Sequence, residues 1–172
     1  MVVGSSSSGL IDSLKREVSP ECWKRITFKT GLPPAEVANE LAAATISILP
    51  TRADTSPNAV KEAVVAGVPV IASRIGGIPD YVFPGQNGFL FESGDLAELV
   101  RILRSTLGHP LFAKGRVEPS TLNAMRAYLS PERMALRFLA AYELALEQPW
   151  PLTLSVRTGH RTSAWNRRPL EQ

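Results

Sequence analysis

Residues 54–80 have the sequence DTSPNAVKEAVVAGVPVIASRIGGIPD, which combines a helix pattern and a strand pattern in one short stretch. Pro57 suits the first position of a helix, where its missing N–H does no harm. Gly67 suits the left-handed residue that ends one. The apolar run 68–73 that follows predicts a strand buried on both faces. Two acids, Asp54 and Glu62, bracket the start of the predicted helix.

The same alternation of short apolar runs with helical patterns extends along the rest of the chain. Strand-like runs are MVVG, RITFKTG, ISILPT, VPVIAS and GFLF, and helix-like segments stand between them. Such alternation predicts an α/β fold with a parallel sheet and helices on both faces, joined by right-handed crossovers. Asp95 with Glu98 is a capping-box pattern. Asn87 with Gly88 predicts a turn that uses positive φ angles.

A further helix is predicted to begin at Ser130 and Pro131, and its apolar residues are spaced to form one stripe. The stripe consists of Met134, Phe138, Tyr142 and Leu146. Helical and strand periods end at Gln148, so we expect one domain over residues 1–147 and a loosely ordered basic tail over 148–172.

Composition excludes several classes of protein. The 172 residues are 44% hydrophobic and 20% charged, which is typical of a globular domain and not of a disordered chain. The single cysteine, Cys22, leaves no pair for an internal disulfide. The two histidines are far apart in sequence, so a zinc site or a serine-type triad is not expected, and we predict no metal. The first ten residues lack the pattern of a secretion signal.

The positive charge is concentrated at the C-terminus. After Gln148 four arginines stand against Glu171, a net of +3 that equals the total for the chain. Residues 1–148 are therefore balanced, and no aromatic-rich strands accompany the basic segment. We expect no nucleic-acid partner, while the tail is compatible with peripheral contact with an anionic membrane.

The start of the helix in 54–80 is a candidate anion site. Ser56 is predicted to cap it. The backbone N–H groups of the first turn, at Asn58, Ala59 and Val60, lack intrahelical partners and lie at the positive end of the helix dipole. Phosphates bind at such helix starts.

A carboxylate accepts paired hydrogen bonds from vicinal hydroxyls. One nucleotide-diphosphate sugar would satisfy Asp54, the helix start and Glu62 together. The alternative, that this segment is an ordinary capped helix with two solvated acids and no ligand, remains open here, because both features are common.

Residues 48–91 closely resemble the donor-binding half of GT-B glycosyltransferases, in the large retaining family four (glycosyl transferases group 1). The resemblance rests on the spacing from Asp54 to Glu62, on AVVAG and GVPV, and on Gly76–Gly77. The segment from Arg25 to Thr51 matches the preceding strand, loop, helix and strand, and the likeness covers about residues 1–147. It implies a Rossmann-like domain that begins at the family's second strand, so that its first strand is missing.

The resemblance also implies roles for individual residues. Asp54 corresponds to the catalytic acid that faces the donor sugar, although the family more often has a glutamate with a longer reach. Glu62 corresponds to the acid that holds the ribose. Backbone amides of the intervening residues contact sugar and phosphates, and these are Thr55, Ser56, Asn58, Ala59 and Val60. The loop of Thr30, Gly31 and Leu32 borders the base. No cofactor is implied, because the nucleotide sugar is the substrate.

A complete GT-B enzyme has two Rossmann-like domains, and this chain is long enough for one. We therefore expect an N-terminally truncated portion of a retaining glycosyltransferase, cytoplasmic or at the inner face of the membrane. It would need the missing N-terminal acceptor domain or a partner chain, and would be inactive alone. The alternative is a non-enzymatic sugar-nucleotide-binding module or one subunit of a split transferase. A dinucleotide oxidoreductase is disfavoured, because no G-x-G-x-x-G follows a strand.

Overall fold

The structure is a computed structural model that describes residues 1–4 and 8–147. The chain divides into two compact units, the first from Met1 to Arg133 and the second beginning at Met134. Every described strand and the candidate site lie in the first unit. The predicted basic tail, 148–172, lies outside the described residues.

The secondary structure follows the alternation predicted from the sequence. The strands are β1 (Val2–Val3), β2 (Phe28–Lys29), β3 (Ser47–Leu49), β4 (Val70–Ser73) and β5 (Gly88–Phe91). The helices are α1 (Ser8–Glu17), α2 (Pro20–Trp23), α3 (Pro34–Ala43), α4 (Asn58–Ala66), α5 (Leu96–Thr106), α6 (Pro110–Lys114), α7 (Pro119–Tyr128) and α8 (Pro131–Glu147). A short 3₁₀ helix at Ile78–Asp80 follows β4.

All the described strands pair in parallel, as predicted, but they form two sheets. One sheet pairs β1 with β2, and the other has the order β3-β4-β5. In the second sheet Ile71 of β4 lies opposite Ile48 on one side and Phe89 on the other. Among the described residues no strand pairing joins β1 to β3. Each of these two strands therefore keeps one unpaired edge.

Helices cover both faces of the larger sheet, which confirms the predicted arrangement. Successive side chains of β4 point to opposite faces. Val70 and Ala72 belong to a core with Val64 and Met125, on the side of α4 and α7. Ile71 belongs to a second core, on the side of α5 and α6, whose other buried members are Phe91, Ile102, Leu111, Phe112 and Val117. All four residues of β4 are fully buried.

The predicted helix ends are confirmed where side chains or glycine determine them. Gly67 ends α4 with φ 76° and ψ 22°, and the N–H of Val68 donates to the carbonyl of Ala63 at 3.0 Å. This is the Schellman arrangement. Asp95 caps α5, accepting from the N–H of Glu98 at 2.8 Å. The hydroxyl of Ser130 accepts from the N–H of Arg133 at the start of α8.

The turn before β5 differs from the prediction. Positive φ occurs at Gly85, whereas Gly88 is the first residue of β5. A Cβ on Gly88 would lie 2.2 Å from the carbonyl oxygen of Val70, so close strand approach requires this glycine. Asn87 is 1% exposed, and its amide accepts from the N–H of Phe83 and donates to the carbonyl of Tyr81. Asn87 thus fixes the turn through its side chain.

Candidate functional site

Helix α4 begins at Asn58, one residue later than predicted, and the predicted cap by Ser56 is wrong. Pro57 occupies the N-cap position with φ −63° and ψ 128°, and no side chain caps the helix. The N–H of Ser56 instead donates to Oδ1 of Asp54 at 2.9 Å. This local turn directs the chain around residue 56 away from the geometry that a serine cap needs. The carboxylate of Asp54 therefore shapes the loop that leads into the helix.

The first turn of α4 presents backbone N–H groups at the carboxyl edge of the sheet. The carbonyl of Pro57 accepts its first helical bond from Lys61, at 3.4 Å. The N–H groups of Asn58, Ala59 and Val60 precede that bond and have no intrahelical acceptor. Val60 is 1% exposed and its side chain packs in the core. With no side-chain cap and a positive dipole end, the helix start is suited to an anion.

The loop of residues 54–56 is held in place by the Gly76–Gly77 turn. The N–H of Gly77 donates to the carbonyl of Thr55 at 2.7 Å. Gly76 has φ +50°, and a Cβ there would lie 2.4 Å from the carbonyl oxygen of Thr55 and 2.5 Å from that of Asp54. The glycine pair therefore allows the close approach of one backbone to another. A side chain at residue 76 would push the loop away from the turn.

Tyr81 lies behind this loop and was not predicted as a site residue. It is 3% exposed, and its hydroxyl has no hydrogen-bond partner. The side chain of Ser56 faces the phenol, without a hydrogen bond of normal geometry between the two hydroxyls. Burial raises the pKa of Tyr81, the nearby Ser56 hydroxyl acts in the opposite direction, and the carboxylates of Asp54 and Asp80 raise it further.

Glu62 lies on an exposed face of α4 and lines a cavity of about 310 Å³. In the described part of the chain its carboxylate has no hydrogen bond or ion pair, so no such bond joins it to the loop of Asp54. The cavity lies between the unpaired edges of β1 and β3. Its other lining residues are Met1, Val3, Val37, Glu40, Leu41, Ala44, Ile46, Ser47, Ile48, Leu49 and Ala59.

The predicted base-bordering residues form the turn between β2 and α3. Gly31 has φ 64°, and Thr30 is exposed while Leu32 is half-buried. Next to this turn, Lys29 forms an ion pair with Glu40 of α3. No hydrogen bond or ion pair of the described residues connects the turn with residues 54–62. Their role toward the base stays a prediction.

Within the described ranges, 1–4 and 8–147, no group of three or more His, Cys, Asp or Glu residues is arranged to hold a metal ion. No helix in that part of the chain has the length and apolar character needed to span a bilayer.

The fold is that of the GT-B glycosyltransferases. The structure aligns with sucrose-phosphate synthase from Thermosynechococcus elongatus at a TM-score of 0.68 and 24% identity, over 84% of this chain and 37% of that one. It also aligns with HepE of Anabaena, solved in complex with UDP-glucose, at a TM-score of 0.65 and 18% identity, over 83% and 40% of the two chains. At these identities the likeness concerns the fold.

Sequence comparison assigns the family. Residues 1–109 match the family model described as glycosyl transferases group 1. D-inositol 3-phosphate glycosyltransferase 1 of Catenulispora acidiphila is 30% identical over 131 residues, 72% of this chain and 29% of that protein. Sulfoquinovosyl transferase of Arabidopsis thaliana is 37% identical over 83 residues, 46% and 16% of the two chains. The chain belongs to the group 1 glycosyltransferases, and it spans less than a third of the length of these relatives.

Proposed function

We propose that this chain is the donor-binding part of a retaining glycosyltransferase and that it binds a nucleotide-diphosphate sugar. The observation that carries the proposal is the start of α4. The Gly76–Gly77 turn holds the loop of residues 54–56, which leads into α4, in one position. The uncapped N–H groups of the first helical turn therefore stay directed at one place. Preorganised backbone donors of this kind bind a diphosphate without reorganising.

Each predicted site residue has a role in this proposal. The diphosphate lies at the N–H groups of Asn58, Ala59 and Val60. Asp54 uses Oδ1 within the loop, which leaves Oδ2 to accept from a hydroxyl of the donor sugar near its reacting carbon. Backbone groups of Thr55 and Ser56 border the same sugar. An aspartate has a shorter reach than the glutamate more usual in the family.

Glu62 would hold the ribose through its two vicinal hydroxyls, because a free carboxylate can accept from both. Its unpaired carboxylate and its exposed position are consistent with this role. The turn at Thr30, Gly31 and Leu32 would border the base. The class of ligand is supported by the complex of HepE with UDP-glucose, whose fold this chain shares.

The acceptor site belongs to polypeptide beyond the part that this chain matches in its relatives. Transfer needs the donor and the acceptor positioned together, and that positioning supplies a large share of the rate. We therefore propose that the chain acts with an acceptor-binding domain or partner chain, and that on its own it binds donor without turnover.

Calorimetry with UDP, GDP and ADP tests the binding proposal. One of the three should bind, and Glu62→Ala should weaken that binding about tenfold, because a hydrogen-bonded charged group is lost. Glu143→Ala also removes an exposed carboxylate, from α8, and should leave affinity unchanged. Equal affinity of wild type and Glu62→Ala for every nucleotide would contradict the role of Glu62.

A further inference from the structure

Among the described residues, the buried side-chain atoms without a hydrogen-bond partner are Oγ of Ser73 and the hydroxyl of Tyr81. Buried polar groups in folded proteins are nearly always paired, so an unpaired one needs a reason. Tyr81 is 3% exposed and lies next to the candidate site through Ser56, whereas Ser73 ends a fully buried strand. Of the two unpaired groups, the phenol of Tyr81 is therefore the one next to the proposed ligand site.

Ser56 connects the buried phenol with the surface of the site. Its N–H donates to Oδ1 of Asp54, the residue is half-buried, and its hydroxyl lies near the phenol of Tyr81. Oγ of Ser56 lies 3.5 Å from the position of a Cβ on Gly77, so it sits over the glycine turn. Oδ2 of Asp80 lies 3.7 Å from the same position.

The hydrogen-bonding capacity of the two hydroxyls sets what they can do together. A serine hydroxyl has one hydrogen to donate and two lone pairs that accept. If Tyr81 donates to Oγ of Ser56, the single hydrogen of Ser56 must be directed elsewhere. The anionic oxygens of a ligand at the start of α4 are the acceptors that would make this arrangement complete.

We propose that Tyr81 and Ser56 form a hydrogen-bond relay that closes when the donor binds. Tyr81 donates to Ser56, and Ser56 donates to an oxygen of the bound diphosphate. Tyr81 is thus a positioning residue, which acts on the ligand through Ser56, and the relay rests on the function proposed above. Burial and the neighbouring carboxylates raise the pKa of Tyr81, so the phenol keeps its hydrogen near neutral pH.

The relay makes affinity and stability respond differently to one substitution. Tyr81→Phe should weaken binding of the tightest of UDP, GDP and ADP about fivefold, since one hydrogen bond is lost from the complex. The same change should not lower the unfolding midpoint of the free chain, because it removes an unpaired buried hydroxyl. Calorimetry and thermal unfolding of the full chain measure the two effects. Tyr142→Phe removes the same atom from an exposed tyrosine and should change neither.

A double-mutant cycle separates a relay from two independent contacts. Since Tyr81 acts through Ser56, the double variant Ser56→Ala with Tyr81→Phe should bind no more weakly than Ser56→Ala alone. Three outcomes would overturn the relay and leave the proposed function standing. They are additive losses of affinity in the double variant, an affinity of Tyr81→Phe equal to that of the wild type, and a lowered unfolding midpoint for Tyr81→Phe. Failure of the wild type to bind any of the three nucleotides would overturn the relay together with the proposed function.

Discussion

At Gly76 the backbone has φ +50°, and a Cβ would stand 2.4 Å from the carbonyl oxygen of Thr55. Gly76→Ala therefore combines two costs, the left-handed backbone and a clash with another backbone segment. The first is about 1–2 kcal/mol and the second about 1–3 kcal/mol. We expect a loss of about 2–5 kcal/mol in the free energy of unfolding, measured by chemical denaturation.

Gly85 offers a matched control for this substitution. It also has positive φ, at 78°, but a Cβ there would meet nothing within 4 Å. Gly85→Ala should therefore show only the backbone cost, about 1–2 kcal/mol. Equal losses for the two variants would mean that contact with the loop contributes nothing at residue 76.

The stability of the chain at high pH depends partly on Tyr81. Its pKa is raised above 10.0, mainly by burial, so the phenol of the unfolded chain ionises first as pH rises. The folded state therefore loses free energy of unfolding as pH rises above about 10, up to its own higher pKa. Tyr81→Phe should make this decline shallower. Denaturant unfolding from neutral pH to about pH 11 measures it.

Tyr142→Phe supplies the comparison at high pH. This tyrosine is 64% exposed on α8, so its removal should leave the steepness of the decline as it is in the wild type. An equally steep decline for Tyr81→Phe would show that the buried phenol does not govern it.

At the level of elements, α5 illustrates how one side chain sets a helix start. Oδ1 of Asp95 accepts from the N–H of Glu98 at 2.8 Å, and Oε2 of Glu98 accepts from the N–H of Glu92 at 2.8 Å. Asp95→Ala removes the cap and should cost about 1 kcal/mol in unfolding free energy, by denaturant titration. Asp95→Asn keeps an acceptor and should lose much less, and equal losses would show that the cap bond is not what matters.

Elements with strong local signals were predictable from the sequence, and short ones were not. Both β4 and α4 were found because an apolar run, a proline and a left-handed glycine all agree at 57–73. No element was predicted for 108–129, where α6 has five residues and is too short to show a period. The apolar residues of α7 do not form a clear stripe, and it buries only Met125.

The candidate site was predictable only as far as the local chain defines it. The acids and the helix start lie in one segment, and their spacing could be read directly. The cap was misassigned because Asp54 competes for the backbone of Ser56, a choice that depends on the loop geometry. Tyr81 was missed because the fold, and not sequence spacing, brings it to Ser56. It lies in an apolar segment that otherwise reads as core.

At the scale of the whole molecule, the two sheets leave backbone donors unpaired between them. In β3 the N–H of Ser47 donates to the carbonyl of Pro69, and the parallel register gives Leu49 a partner in β4 as well. The N–H of Ile48 points to the other edge. In β1 the N–H of Val2 donates to the carbonyl of Thr27. The N–H of Val3 therefore points to the unpaired edge of β1.

Amide hydrogen exchange measured by NMR should detect this asymmetry within a single strand. Ile48 should exchange much faster than Leu49, because its N–H faces the cavity and not β4. Ile71, paired on both sides in β4, should be among the slowest in the chain. Protection of Ile48 comparable to that of Leu49 would show that the edge of β3 is covered in solution.

Asn87 and Gly88 form an Asn-Gly sequence, the dipeptide most prone to lose the side-chain amide by attack of the following backbone nitrogen. In the folded chain the amide is bonded at both ends and Gly88 is held in β5, and these restraints should slow the attack. An unfolded copy has no such protection. The converted side chain would place an acid at a site with 1% exposure, and that copy would refold poorly. The extent of deamidation at Asn87, measured by mass spectrometry in an aged sample, should therefore increase with the time that the chain has spent unfolded.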